Sequence, residues 1–148
     1  MVGCGNMGGA LLSRWVALDD AEFTVTDPGR PALPAGVGAA ADASELKDRR
    51  FDVIIAAVKP QLIPKAMPEP AALLKPDGVV ISIAAGLSAA QVSAACGGSR
   101  VIRLMPNMPA RVGRGVSGIY AQRECAETHI AFAERLAGCA GTAIRLDD

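Results

Sequence analysis

Two apolar runs constrain this chain more than any other feature: Phe51-Asp-Val-Ile-Ile-Ala-Ala-Val58 and Gly78-Val-Val-Ile-Ser-Ile-Ala-Ala85. Both are short, rich in β-branched residues and almost continuous, without the alternation of a strand that has one wet face. Each therefore reads as a strand buried on both faces, which requires helices above and below the sheet. Helical patterns recur on either side of the runs. Met7, Leu11, Trp15 and Leu18 share one face, and Asp19-Asp20 ends that helix. Ser88 is placed as the N-cap of a helix through Cys96, and Ala126, Ile130, Ala133, Ala137 and Ala140 trace another helical stripe. Further strands are predicted at Glu22–Thr26, Gly36–Ala40, Arg100–Leu104, Val116–Ala121 and Thr142–Leu146, with a short helix from Ser44 to Arg49 capped near Asp42. Prolines 64, 68 and 70 interrupt the helix expected before Ala71–Leu74. Strand alternates with helix almost throughout. The predicted fold is α/β: one domain over residues 1–148, with a doubly wound, mainly parallel sheet and helices on both faces.

At the start of the chain Gly3, Gly5 and Gly8 stand in G-x-G-x-x-G spacing, directly before the first helical pattern. Such glycines serve a strand that turns into a helix around a dinucleotide pyrophosphate. The first permits the tight turn, the second lets backbone approach phosphate, and the third lets helix and strand pack closely. Three glycines also make ordinary turns, so the reading depends on what the rest of the chain supplies. Asp27 follows the second strand, 19 residues beyond Gly8, where an acidic side chain binds a ribose hydroxyl of NAD. Arg30 in the next turn would instead face a 2′-phosphate, or remain a solvated charge. Three strand ends carry Val58-Lys-Pro-Gln61, Ala84-Ala-Gly86 and Met105-Pro-Asn-Met-Pro109. In a right-handed parallel sheet these ends share one edge and form a groove for an extended dinucleotide. Only Met1 and Val2 precede Gly3, whereas a buried strand usually needs about five residues. A trimmed or misassigned start is the expectation.

Composition excludes other classes. Lys plus Arg equals Asp plus Glu, so no basic face dominates, and neither nucleic acid nor an anionic membrane is an expected partner. Cys4, Cys96, Cys125 and Cys139 have no metal or disulfide spacing and are read as small buried hydrophobes. His129 is the only histidine and lies in an alanine-rich helix, so neither a metal site nor an activated serine is expected. Arg111 and Arg114 are read as solvated loop charges, and Trp15 as packing between helix and sheet. With no signal peptide and no apolar stretch of bilayer-spanning length, the expected location is the cytoplasm.

Four segments together resemble the motifs of the pyrroline-5-carboxylate reductase family, in the family's order. They are Val2-Gly-Cys-Gly-Asn-Met-Gly-Gly9, Ala57-Val-Lys-Pro-Gln61, Ile81-Ser-Ile-Ala-Ala-Gly86 and Arg103-Leu-Met-Pro-Asn-Met-Pro-Ala110. The resemblance implies a Rossmann-type cofactor domain and hydride transfer from NADPH, or NADH, to 1-pyrroline-5-carboxylate, giving L-proline. It places Cys4, Asn6 and Met7 with the glycines against the pyrophosphate. Ala57, Val58, Lys59 and Pro60 fall beside adenosine and ribose, and Ala84, Ala85 and Gly86 along the nicotinamide. Asn107 falls near nicotinamide and substrate, as the one candidate catalytic residue. Met108 stands where the family usually has threonine, which removes a hydroxyl donor. The family also continues into a helical domain that forms the homo-oligomer and holds the substrate carboxylate, and these residues do not include it. Two alternatives remain in view: a non-catalytic NAD(P)-binding module, and a related reductase of another substrate.

Overall fold

The computed structural model describes residues 1–147; Asp148, the last residue of the expected domain, lies outside the described residues. The chain forms α1 (Asn6–Trp15), β1 (Thr24–Thr26), β2 (Gly38–Ala40), a 3-10 turn at Ala43–Leu46, and β3 (Phe51–Ala56). A second 3-10 turn, Pro60–Leu62, leads into α2 (Ile63–Ala66) and α3 (Pro68–Ala71). Then follow β4 (Leu74–Ser82), α4 (Ala89–Ala95), β5 (Val101–Pro106), a 3-10 turn (Met108–Val112), β6 (Gly115–Ala121), α5 (Glu127–Gly138) and β7 (Gly141–Arg145).

Local chemistry explains several boundaries. Ser88 caps α4 in a reciprocal box with Gln91, so two otherwise unpaired backbone N–H groups are satisfied. The Asp42 side chain accepts from the Ser44 N–H and starts the first 3-10 turn. The prolines at 64, 68 and 70 divide the segment before β4 into pieces of four residues or fewer.

The sheet is mainly parallel, in the order β3-β4-β5-β6-β7, with β1 and β2 as a second parallel pair. Met1 and Val2 join the two. Val2 bridges Thr26 on one side and Ala56 on the other, both parallel. Its N–H donates to Ile55 O at 2.8 Å, its carbonyl accepts from the Ala57 N–H at 2.9 Å, and the Thr26 N–H donates to Met1 O at 2.9 Å. Two residues thus do the connecting work of the short first strand.

One pairing departs from the parallel pattern: β6 runs antiparallel to β5. The reason is the connection. Only residues 107–114 lie between them, too few for the crossover that a parallel neighbour needs. The helix α5 supplies such a crossover between β6 and β7, which are parallel.

Helices cover both faces. Ile54, Ala56 and Val80 pack with Ile63, Met67, Val92 and Cys96 on one side. Ile55, Val79, Ile81, Ile102 and Leu104 pack with Leu11, Trp15, Ala133 and Leu136 on the other. Adjacent residues of β3 and β4 therefore feed opposite cores, which is why these runs are continuous rather than alternating.

Candidate functional site

Every site residue expected from the sequence lies at the carboxyl edge of the parallel strands, or in the turn that leaves it. Along the sheet the order is Asp27 after β1, Gly3 to Gly8 after Val2, Ala57 to Pro60 after β3, Ala84 to Gly86 after β4, and Asn107 after β5. The chain winds to one side of Val2 for β1 and β2 and to the other side for the rest. A reversal of this kind is where an open α/β sheet takes its ligand.

The three glycines have separable reasons. Gly3 has φ +82°, and a Cβ there would lie 2.7 Å from Val58 Cγ1 and 3.1 Å from Ala57 O. Both backbone conformation and contact exclude a side chain. A Cβ on Gly8 would lie 3.1 Å from Ala57 Cβ, so Gly8 sets how closely α1 approaches the end of β3. A Cβ on Gly5 would meet nothing within 4 Å. Gly5 is the N-cap of α1 and offers no side-chain cap, so the first N–H groups of this helix keep their affinity for an external anion.

Asp27 braces this loop. Its Oδ2 accepts from the Cys4 N–H at 2.8 Å, and its Oδ1 accepts from the Gly29 N–H at 2.8 Å. Each carboxylate oxygen retains acceptor capacity beyond these bonds. Asp27 and Arg30 also line a pocket of about 210 Å³ with Pro31, Leu33, Ala39 and Glu45. Arg30 has φ +44°, and its guanidinium is 3.6 Å from the Glu45 carboxylate, both groups exposed. Burial, followed by the negative charge of Asp27, pushes the Cys4 thiol pKa up, so a neutral thiol sits in the loop.

The remaining positions are mostly open to solvent. Lys59 is exposed and precedes the 3-10 turn that Pro60 begins. Ala84 is buried, whereas Ala85 and Gly86 are exposed. Asn107 is exposed, and its Oδ1 accepts from the Val116 N–H at 3.0 Å. Its N–H donates back to Val116 O at 3.3 Å. A carboxamide offers one acceptor and one donor group. Here the turn itself engages one lone pair of the carbonyl oxygen, and the exposed Asn107 keeps its amide N–H groups as donors. Met108 is 65% exposed and offers no donor.

Arg103 is a residue that pattern reading passed over. It is buried on β5; Nη1 donates to Ser82 Oγ at 3.1 Å and Nη2 donates to Ala84 O. A charged residue inside the run Arg100-Val-Ile-Arg-Leu104 was the available signal, because arginine is rarely buried without a task. His129, Arg111 and Arg114 are not part of this row. Arg111 and Arg114 are exposed, and His129 lines a separate cavity of about 710 Å³ at the opposite edge, with Met1, Phe23 and Phe51. Among the described residues no cluster of metal-ligating side chains occurs, and no helix is long and apolar enough to cross a membrane.

Residues 1–86 match the family model described as NADP oxidoreductase, coenzyme F420-dependent. The pyrroline-5-carboxylate reductase of Pseudomonas aeruginosa is 33% identical over 99% of this chain and 56% of its own length. That of Escherichia coli K12 is 37% identical over 80% of this chain and 47% of its own. The chain thus spans about half the length of these relatives. A solved pyrroline-5-carboxylate reductase from Coxiella burnetii superimposes with TM-score 0.86 at 26% identity, covering 99% of this chain and 57% of that one. The Plasmodium falciparum pyrroline carboxylate reductase with NADP bound shares the fold, with TM-score 0.80 at 20% identity, covering 99% and 55%.

Proposed function

The chain belongs to the NADP oxidoreductase, coenzyme F420-dependent family, and on that premise we propose that it is the cofactor-binding half of a pyrroline-5-carboxylate reductase. The observation that carries this reading is the unbroken row of strand ends from Asp27 to Asn107, with an uncapped helix start and open space at Gly5 in its midst. A dinucleotide laid along the row has its pyrophosphate at Gly3–Gly8 with Cys4, Asn6 and Met7. Its adenosine side runs toward Asp27 and Arg30, with Val58, Lys59 and Pro60 alongside. Its nicotinamide reaches Ala84, Ala85, Gly86 and Asn107. When bound, the nicotinamide would supply a hydride to the imine carbon of 1-pyrroline-5-carboxylate, which together with a proton on the ring nitrogen gives L-proline. The protein's part is binding and orientation. The N–H groups of α1 receive the phosphates, the Asp27 carboxylate holds the loop in shape, and the Asn107 amide donates toward the ring or substrate. Holding the substrate carboxylate and pairing subunits fall, on this reading, to the part of the relatives' length that this chain does not span.

Titrating NADPH into the purified chain and following nicotinamide fluorescence tests the reading directly. Saturable binding is expected; no binding would overturn it. The glycines then separate fold from site. Gly3→Ala is expected to lower stability by about 1–3 kcal/mol through backbone strain and the contact with Val58. Gly5→Ala is expected to keep stability within about 0.5 kcal/mol of the parent, typical of an exposed site, yet to weaken NADPH, because its methyl group stands where phosphate approaches. Urea unfolding and the same titration read both effects. Equal NADPH affinity in Gly5→Ala and the parent would remove the pyrophosphate from Gly5.

On this reading the cofactor is NADPH, with NADH accepted, and the presence of Arg30 in the same pocket as Asp27 supports a 2′-phosphate role for it. A charge-assisted hydrogen bond to phosphate contributes about 1.5–3 kcal/mol, so Arg30→Ala should weaken NADPH about tenfold or more and leave NADH unchanged. An unchanged NADPH affinity would end the 2′-phosphate role of Arg30.

A further inference from the structure

Among the described residues Arg103 is the only charged side chain that is buried, with 7% exposure. Its three partners are all neutral: Ser82 Oγ, the Ala84 carbonyl oxygen, and Met105 Sδ at 2.8 Å. None of the ion pairs among the described residues includes it. Burial lowers its pKa, but a guanidinium stays protonated in a protein. A full positive charge therefore sits in a low-dielectric wall with no opposite charge in contact, where its field is weakly screened.

The position of that charge gives it a use. Ser82 ends β4 and is the register partner of Arg103. Ala84 begins the exposed turn at Ala85-Gly86, and Met105 leads to Asn107 through Pro106. The guanidinium thus joins the two turns assigned above to the nicotinamide and lies beneath them. The reduced nicotinamide ring is neutral, whereas the oxidised ring carries a positive charge. We propose that Arg103 makes the groove select the oxidation state of its cofactor, favouring the reduced ring and disfavouring the oxidised one. The inference rests on the nicotinamide reading of this end of the groove. Arg103 acts through its field and through the turns it holds, so it is a positioning residue.

The test compares Kd for NADPH and for NADP+ in the parent chain, Arg103→Lys and Arg103→Gln. Lysine keeps the charge and loses the planar fork; glutamine keeps an amide donor and loses the charge. The ratio Kd(NADP+)/Kd(NADPH) is expected to fall about fivefold in Arg103→Gln and to stay within about twofold in Arg103→Lys, even where both affinities weaken. Met105 is half-buried and offers a second route that leaves the guanidinium in place. Met105→Glu sets a carboxylate against it and is expected to lower the ratio, whereas Met105→Gln leaves it unchanged. A purely structural role would alter Arg103→Lys and Arg103→Gln alike. An equal ratio in those two variants, or in the Met105 pair should Arg103→Gln not fold, overturns the inference alone. Failure of the parent to bind either cofactor overturns the nicotinamide reading and the inference with it.

Discussion

Trp15→Ala is expected to lower the unfolding free energy by about 3–5 kcal/mol, as for other fully buried tryptophans. Trp15 has 0% exposure and packs in the core that α1 and α5 share with the sheet. Its ring also stacks near Phe23, with centroids 6.4 Å apart. The indole does more than fill space. Nε1 donates at 2.9 Å to the Leu136 carbonyl, in the last turn of α5. Carbonyls there have lost their helical partner: the Ala140 N–H bonds to Ala137 O instead. Trp15→Ala therefore opens a cavity and leaves a buried acceptor unpaired. Trp15→Phe keeps most of the volume and isolates the hydrogen bond, at an expected cost of about 1–3 kcal/mol. Urea unfolding of the three proteins measures both. A loss under about 1 kcal/mol in Trp15→Ala would mean that α1 and α5 are not coupled through this residue.

The second large effect, for the 148-residue polypeptide prepared with a free α-amino group on Met1, is a pH dependence set at that group. The amine is buried and donates to Thr24 O at 2.6 Å, and burial lowers its pKa from 8.0 to about 5. An amine with a depressed native pKa is neutral in the folded protein while the unfolded chain is still protonated. Between pH 8 and 5 the unfolded state therefore binds more protons, and stability falls as the pH falls. A shift of three units corresponds to about 4 kcal/mol, fully present below pH 5 and absent above pH 8. Nα-acetylation removes the charge while keeping an N–H for Thr24 O. The adjoining cavity of about 710 Å³, lined by Met1, Phe23 and Phe51, has room for the added group. The stability gained on acetylation is expected to grow by about 1.4 kcal/mol for each unit of pH lost below 8. Parallel unfolding profiles for the free and acetylated chains between pH 8 and 5 would contradict this.

Much of the architecture is local and could be read from residue order. The runs in β3 and β4 are almost continuous because both faces are covered, and no other environment suits the six consecutive apolar positions Val53–Val58 so well. Ser88 and Asp42 mark their helical turns because a side-chain oxygen a few bonds from the backbone does the capping. Gly3 and Gly8 are legible for the same kind of reason: the spacing of a strand-to-helix turn fixes where a side chain has no room.

What residue order alone left open involves groups that meet only after folding. Asp27 could be placed at the right remove from Gly8, but not as the brace that accepts from Cys4 and Gly29. Asn107 was visible in its proline-flanked turn, yet the engagement of its carbonyl by Val116 depends on the antiparallel pairing of β6. Arg103 has acceptors on two strands and a turn up to 21 residues away, so its burial has no local signature beyond one charge in an apolar run. Met1 and Val2 are too short to read as a strand; ladders on both sides make them the joint of the sheet. The chain's own order determined an α/β fold with a glycine-rich turn, because periodicity, capping and backbone conformation act over a few residues. Tertiary structure alone decided the brace at Asp27, the engagement of Asn107 by Val116 and the buried charge at Arg103, because hydrogen bonding and desolvation act across space between residues the sequence keeps apart.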